Sequence, residues 1–307
     1  MNPQPAVNPL PKYLEYGPRA TFPPPFLSAG GRFVGLVLEG DEPQIQALCD
    51  ALNETVEGRV TYALLGSYVV MMVGEFPHQS SLAPEFINRG YASETGLVFW
   101  VPLRATEAKE TRLCLAAPYV FVDNELSLLC GREDFGYAKS LAKFDPTNGL
   151  GPVVTVWAFG GDDAPTSKAD WIEVLKVTAL GGPLAATPWD TPQKIAAELV
   201  GTAAVGEAIL EQVLKRVEEL VEENARHVFL KQFRDAELAG KACYRRVVES
   251  PVAFTDPSVR VLLEPWQVDV KSHSSHPITT DLGVDSQETL LAFEIKMDML
   301  LNPGKVI

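Results

Sequence analysis

The chain has 307 residues, of which 46% are hydrophobic and 21% are charged, proportions that are ordinary for a soluble globular protein. Its formal net charge of -14 argues against nucleic acid or an anionic membrane surface as a partner, because both require clustered Lys and Arg side chains. The sequence has no recognisable signal peptide and no uninterrupted apolar stretch of membrane-spanning length, so we expect a cytoplasmic protein.

The first 30 residues are rich in proline and contain the run Pro23-Pro24-Pro25, which predicts an extended N-terminal arm. We expect this arm to pack against the body of the protein or against a neighbouring subunit. Residues 31–307 are predicted to form a single domain.

From residue 32 to about residue 178 the sequence predicts a series of strands, with one short helix at Pro43–Leu52. Turn signals such as Gly149-Leu150-Gly151 separate several of the apolar runs. This spacing favours a largely antiparallel sheet or barrel over alternating βαβ units. The predicted strands are Arg32–Leu38, Thr61–Phe76, Leu97–Leu103, Arg112–Val122, Leu126–Cys130, Val153–Phe159 and Trp171–Thr178.

From Thr191 the apolar residues recur at helical spacing, and Thr191 followed by Pro192 is a good helix start. We therefore predict a long helical segment at about 191–248, which packs on the sheet or contributes to a contact between subunits. Strands are predicted to return at Val259–Leu263, Trp266–Val270 and Phe293–Met299, where apolar residues alternate.

Two classes of site receive little support from the sequence. The four cysteines are widely spaced and are expected to be reduced core thiols, and the four histidines give only one His-x-x-His pair in a Ser-rich turn. We therefore expect neither a metal site nor a cofactor. A nucleophilic serine is not expected either, because the sequence has no G-x-S-x-G element.

The segment from Cys130 to Ser140, Cys-Gly-Arg-Glu-Asp-Phe-Gly-Tyr-Ala-Lys-Ser, contains the main catalytic candidate, Lys139. The apolar residues before it predict that Lys139 lies at the protein core. Burial favours the neutral form of an amine, and a neutral amine can attack a ketone to form a Schiff base. Tyr137 precedes the lysine by two residues, so on a strand it would face the same side and could donate a proton. The alternative is a lysine at a strand end that extends its amine to solvent.

The pattern Gly-Arg-Glu, three residues, Tyr, one residue and Lys resembles the segment that carries the Schiff-base lysine in the acetoacetate decarboxylase family. Arg32 stands where that family has an arginine at the start of its first core strand, and Glu94 matches its Tyr-x-Glu element with one inserted residue. The runs Phe229–Ala236 and Ala242–Tyr244 are similar to a divergent, longer branch of the superfamily.

The resemblance implies an α+β fold with a curved, largely antiparallel β-barrel or sheet core, flanking helices and assembly into a homo-oligomer. It also implies a Schiff-base-forming lyase that acts on a small anionic oxo acid. In that mechanism Lys139 forms the imine, Arg32 binds the substrate carboxylate in a forked geometry, and Glu94 and Tyr137 move protons. Arg132 and Glu133 are expected to form a structural ion pair or to hold the turn before the lysine, and neither is expected to take part in catalysis.

Two departures from the family pattern leave the activity open. Ser140 stands where the decarboxylase has a second lysine, and the run Tyr68–Val73 is apolar where the decarboxylase has a further glutamate. One alternative is an aldolase-dehydratase that uses pyruvate or another 2-oxo acid. The other is a non-catalytic relative that binds a ligand or serves as an assembly subunit.

Overall fold

The computed structural model describes residues 13–14, 21–146, 151–159, 168–181, 186–188, 215 and 225–307. In this part of the chain the helices are α1 (Glu42–Val56), α2 (Glu125–Cys130) and α3 (Ile278–Leu282), and a π-helical turn, Gly131–Phe135, continues α2. The strands are β1 (Phe26–Glu39), β2 (Thr61–Leu64), β3 (Tyr68–Ser81), β4 (Ala92–Glu107), β5 (Glu110–Val122), β6 (Lys139–Pro146), β7 (Pro152–Ala158), β8 (Asp170–Ala179), β9 (Ala186–Pro188), β10 (Arg226–Arg234), β11 (Ala242–Leu262), β12 (Trp266–Val270), β13 (Gln287–Glu288), β14 (Leu291–Leu301) and β15 (Lys305–Val306).

Seven of these strands form a closed ring of hydrogen-bonded neighbours. The order is β5, β10, β11, β14, β1, β3 and β4, and β4 pairs with β5 to complete the ring. Every pair in it is antiparallel except β5 with β10. A second group of strands, β6, β7, β8, β12 and β13, extends from β5 through the parallel pair of β5 and β6. The expected curved and largely antiparallel sheet core is therefore confirmed.

The ring presents two buried faces, because successive side chains of a strand point to opposite sides. Leu36 and Phe99 belong to the outer set, which packs against α1, α3 and the second group of strands. Phe33 and Trp100 belong to the inner set, which faces the interior of the ring. The two faces mean that a shift of one residue along a ring strand moves a side chain from one core to the other.

Helix α1 lies where the sequence predicts it, and it covers part of the outer face. The Asp41 side chain accepts a hydrogen bond from Gln44 N at 3.1 Å, which caps the first turn. The apolar side chains recur at helical spacing and are buried on one face, namely Ile45, Cys49, Leu52 and Val56.

The prediction of a strand at Leu126–Cys130 is wrong, because these residues form α2. Asn124 has extended backbone angles, and its side chain accepts a hydrogen bond from Ser127 N at 2.7 Å, so that it acts as a helix N-cap. A run of five apolar residues fits a buried strand and a buried helical turn equally well. The side-chain cap at Asn124 favours the helical turn over the strand.

The prediction of a helical segment at about 191–248 is wrong for its last part. Its last part forms β10 and the beginning of β11, which belong to the ring. Lys215 is helical, and the other residues of 191–224 lie outside the part that the structure describes. Val228 and Phe229 are buried in the outer and inner sets respectively, which is the alternation of a strand buried on both faces.

The predicted N-terminal arm also ends earlier than residue 30, because β1 begins at Phe26. Residues 1–12 and 15–20 lie outside the description. The residues just before β1 contact the end of β3, where Ser81 Oγ donates to Pro23 O at 2.6 Å and Leu82 N donates to Pro25 O at 2.8 Å.

The four cysteines are free thiols, and Cys243 is exposed while the other three are buried. Among the helices that the structure describes, none is both long enough and apolar enough to cross a membrane. Assembly into a homo-oligomer stays a prediction.

Candidate active site

A cavity of about 190 Å³ lies inside the ring, and each of the seven ring strands contributes to its wall. Most of the wall is aromatic or aliphatic. Phe22, which precedes β1, and Phe26, the first residue of β1, are part of it. The larger apolar lining residues are Phe22, Phe26, Phe33, Val70, Met72, Phe76, Leu97, Val98, Trp100, Leu115, Val120, Leu126, Phe135, Phe254, Phe293, Ile295, Met297, Met299 and Leu301.

Lys139, Glu94 and Ser127 meet at the wall of this cavity. Lys139 Nζ lies 3.3 Å from Glu94 Oε2, and the two side chains are only 11% and 13% exposed. The Ser127 hydroxyl bridges them, since it donates to Glu94 Oε2 and accepts from Lys139 Nζ. The amine is thus in contact with one carboxylate and one hydroxyl in a largely apolar environment.

The turn that follows α2 places the lysine. Backbone N–H groups of Gly136 and Tyr137 both donate to Gly131 O at 3.0 Å, and Gly136 has the left-handed φ of 95° that ends the turn. Lys139 then begins β6, opposite Val120 of β5. Single π-helical turns of this kind often occur at functional sites.

Gly131 lies directly against the lysine side chain. A Cβ atom at this position would lie 2.7 Å from both Cδ and Cε of Lys139 and 3.2 Å from its Nζ. The absence of a side chain at Gly131 therefore allows the lysine to lie across the turn.

Tyr137 lines the cavity next to the lysine and forms a buried pair with His227. The Tyr137 hydroxyl and His227 Nδ1 are 2.7 Å apart, and Lys139 Nζ lies 5.3 Å from the centroid of the Tyr137 ring. Burial lowers the pKa of His227 to about 3 and raises the pKa of Tyr137 well above its usual value, so both groups are uncharged at neutral pH. The ring of His227 packs against Trp100, with centroids 4.3 Å apart.

Arg32, the predicted carboxylate-binding residue, does not line the cavity. Its side chain is exposed, on the opposite face of β1 from Phe33. A β-bulge between Ser28 and Gly31 adds one residue to β1 relative to β14. Ser28 before the bulge and Phe33 after it both line the cavity, so the bulge exchanges the two faces of the strand and turns Arg32 outward.

The other departures from the family pattern also have defined positions. Ser140 is not a lining residue, and its Oγ lies 3.1 Å from His276 Nε2. Val70 and Met72 of the apolar run line the cavity, while the nearby Glu75 is exposed. Of the lining residues that the structure describes, Glu94 is therefore the only carboxylate and Lys139 the only lysine or arginine.

Arg132 is exposed, and its Nη1 donates to the Lys139 carbonyl at 3.2 Å, so it braces the turn outside the cavity. Ser127 and His227 are residues of the site that the sequence did not indicate. Ser127 lies three residues after the helix cap Asn124, which is the signal that could have placed it in α2. His227 gave no local signal, because its partner Tyr137 is distant in the sequence.

Comparison with known proteins supports the fold. No family model matches the chain, and no curated protein matches it by sequence. Acetoacetate decarboxylase from Legionella pneumophila has a similar structure, with 16% identity, 98% of this chain and 93% of that chain covered, and a TM-score of 0.61. The enduracididine biosynthesis enzyme MppR, solved with pyruvate, shares 10% identity over 93% of this chain and 91% of its own, with a TM-score of 0.52. An acetoacetate decarboxylase-like enzyme from Sphingomonas wittichii shares 12% identity over 92% of this chain and 93% of its own, with a TM-score of 0.53. These similarities show that the chain has the fold of acetoacetate decarboxylase.

Proposed function

We propose that this chain, which has the fold of acetoacetate decarboxylase, is a lyase that forms a Schiff base between Lys139 and an oxo acid. One observation carries the proposal: a lysine amine lies at the wall of an apolar cavity, within hydrogen-bond distance of a carboxylate and a hydroxyl. A lysine that extends its amine to solvent would have neither the cavity nor the buried partners.

The first step is formation of the imine. Glu94 Oε2, 3.3 Å from Nζ, takes a proton from the ammonium group either directly or through the Ser127 hydroxyl. The lone pair of the neutral amine then attacks the substrate carbonyl carbon. The carbonyl oxygen leaves as water with one proton from the amine and one from Glu94, and a protonated imine remains.

The second step uses the imine as an electron acceptor. In a 3-oxo acid the bond to the carboxylate carbon breaks, its electron pair forms the C=C bond of an enamine, the C=N pair moves onto nitrogen, and CO₂ leaves. A proton from solvent, passed on by Glu94, then adds to the enamine carbon, and water hydrolyses the protonated imine to return the ketone and the lysine. The proposed route uses no cofactor.

We assign the proton transfers to Glu94 in preference to Tyr137. Because burial raises the pKa of the Tyr137 hydroxyl, this group holds its proton tightly and is a weak acid. The proposed role of Tyr137 is to form a hydrogen bond with His227 at the wall of the cavity and not to transfer a proton.

A second candidate is the aldol reaction of a 2-oxo acid, in which the enamine made from pyruvate attacks an aldehyde before water is lost. The similar fold of MppR, solved with pyruvate and also with the condensation product of pyruvate and imidazole 4-carboxaldehyde, favours this candidate. Both candidates share the imine at Lys139. A purely ligand-binding role would not require it.

The test is to incubate the protein with acetoacetate or, separately, with pyruvate in the presence of cyanoborohydride, and to measure the intact mass. We expect a reduced adduct in the wild type and none in Lys139→Ala. Loss of CO₂ from the acetoacetate adduct would indicate decarboxylation, and an adduct only with pyruvate would favour the aldol route.

The matched control is Lys143→Ala, on the same strand. Lys143 is exposed and packs over the ring of Trp171, at 4.1 Å from its centroid. This variant should keep the adduct. If no oxo acid labels the wild type, or if the adduct survives in Lys139→Ala, the Schiff-base function is wrong and a binding role is favoured.

A further inference from the structure

The two charged side chains of the cavity wall lie next to each other. The carboxylate of Glu94 and the amine of Lys139 are in contact, and the other polar residues that the description places on the wall carry no charge at neutral pH. These uncharged residues include Ser28, Gln79 and the buried pair of Tyr137 and His227. A second anionic group of a ligand, away from the lysine, would lose its hydration without gaining a positive partner.

The space around the charged pair is apolar and larger than a small oxo acid needs. About 10 to 15 Å³ of such space is enough for one water molecule, so a cavity of about 190 Å³ holds on the order of ten water-sized groups. Aromatic and branched side chains from several strands enclose it, including Phe33, Val98, Trp100, Phe254 and Phe293. A ligand of acetoacetate size would leave much of this surface without contacts.

We propose that the substrate of this site is an oxo acid that carries a bulky apolar substituent, aromatic or branched, and no second charged group. This inference rests on the proposed function, since it takes the carbonyl carbon to be attached to Lys139. The carboxylate of a 2-oxo or 3-oxo acid then stays next to the positively charged imine, where it needs no arginine. The substituent extends over the face of Tyr137, which lies beside Nζ, towards Trp100.

The position of Arg32 supports the same substrate class. An arginine inside the cavity would bind a substrate carboxylate that lies away from the imine. The bulge in β1 instead places Arg32 on the outer face. The cavity wall at this level is Phe33, which offers only apolar contact.

The experiment measures adduct formation at Lys139 with three ketones of similar intrinsic reactivity. They are acetoacetate, 3-oxo-5-phenylpentanoate and 3-oxoglutarate, and the readout is the ketone concentration that gives half-maximal adduct in the presence of cyanoborohydride. One methylene in an apolar pocket changes selectivity by about 10-fold to 200-fold, so we expect at least about 10-fold tighter capture of the phenyl compound than of acetoacetate. The second carboxylate of 3-oxoglutarate should make it the poorest of the three.

Two variants of Val98, a partly buried lining residue, link this preference to the cavity. Val98→Phe takes up space, so it should weaken capture of the phenyl compound much more than capture of acetoacetate and thereby remove the preference. Val98→Ala adds space, so it should keep the preference, and it provides a test if the larger side chain prevents folding.

The outcomes separate the two claims. Equal capture of acetoacetate and the phenyl compound, or efficient capture of 3-oxoglutarate, would overturn the proposed substrate class and leave the Schiff-base function intact. A preference that persists unchanged in Val98→Phe would also contradict it. If none of the ketones labels Lys139, both the function and the substrate class fail.

Discussion

Gly131→Ala should displace the reactive amine without unfolding the protein. The added Cβ atom would lie 2.7 Å from Cδ and Cε of Lys139, whereas carbon atoms in contact are usually about 3.5 to 4.0 Å apart. The flexible lysine side chain must therefore move by about 1 Å, and a misplacement of this size can slow a reaction about 100-fold. That factor corresponds to about 2.7 kcal/mol of activation free energy.

The fold should tolerate the same substitution. Gly131 has φ of -63° and ψ of -41°, which are right-handed helical angles that alanine adopts readily. Replacing glycine by alanine in a compatible conformation stabilises a protein by about 0.4 to 1 kcal/mol. We therefore expect slow adduct formation together with an unchanged or slightly raised melting temperature.

The assay is the rate of reductive adduct formation at Lys139, measured by peptide mass spectrometry. Gly96→Ala is the matched control, because it also adds a methyl group at a lining residue. Its Cβ atom would lie 3.4 Å from Phe121 O and 3.5 Å from Glu94 Oε1, which are ordinary contacts. Gly96→Ala should therefore react at the rate of the wild type. If Gly131→Ala also reacts as fast as the wild type, the position of the amine does not control the reaction and the reasoning is refuted.

Three further changes address the same cluster and the surrounding core. Ser127→Ala should slow imine formation measurably, by up to about 100-fold, because it removes one route for the proton while Glu94 remains in contact with the amine; the adduct rate at Lys139 measures this. Glu249→Gln should lower the free energy of unfolding by about 3 to 5 kcal/mol in urea denaturation, because this fully buried carboxylate accepts two hydrogen bonds of 2.8 Å from Arg112. Burial raises the pKa of Asp134 from 3.8 to about 7, so the fold disfavours its charged form and the contribution of this carboxyl to stability falls as the pH rises through this range. Asp134→Asn should therefore gain stability relative to the wild type as the pH rises from 3.8 to about 7, as measured by urea unfolding across that interval.

Each of the three has a specific contrary outcome. An unchanged adduct rate in Ser127→Ala would mean that the bridging hydroxyl takes no part. Glu294→Gln removes an exposed pair with Arg260 and should cost less than about 1 kcal/mol, so a similar loss for Glu249→Gln would contradict the argument from burial. Parallel stability curves for Asp134→Asn and the wild type would show that the Asp134 carboxyl does not titrate in the range assigned to it.

The parts of the site that the sequence could predict are those set by short-range spacing. Lys139 and Tyr137 follow one compact turn, so their common position at the cavity depends on few residues. Glu94 lies on a strand whose alternation continues through Gly96 and Val98, and all three line the cavity. Where a strand has no bulge, the alternation of residues in the sequence predicts which side chains face the cavity.

The parts that could not be predicted depend on tertiary contacts. The apolar run of helix α2 has no period that distinguishes a helix from a strand, and the side-chain cap at Asn124 favours the helix. His227 lies in a segment that helical spacing assigned to a long helix, and pairing with β11 makes it a strand instead. Its contact with Tyr137 joins residues far apart in the chain.

The exclusion of Arg32 shows how backbone irregularities set the chemistry of the cavity. The bulge in β1 has a counterpart in β3, where the register with β4 shifts between Phe76 and Gln79, and both of these residues line the cavity. Arg32 and Glu75 are cross-strand neighbours at this level, and both are exposed on the outer face. The two adjacent bulges thus place both Arg32 and Glu75 outside the cavity. The sequence contains the charged residues that a site for a small acid would use, but the register of two strands leaves Lys139 and Glu94 as the charges on the described wall.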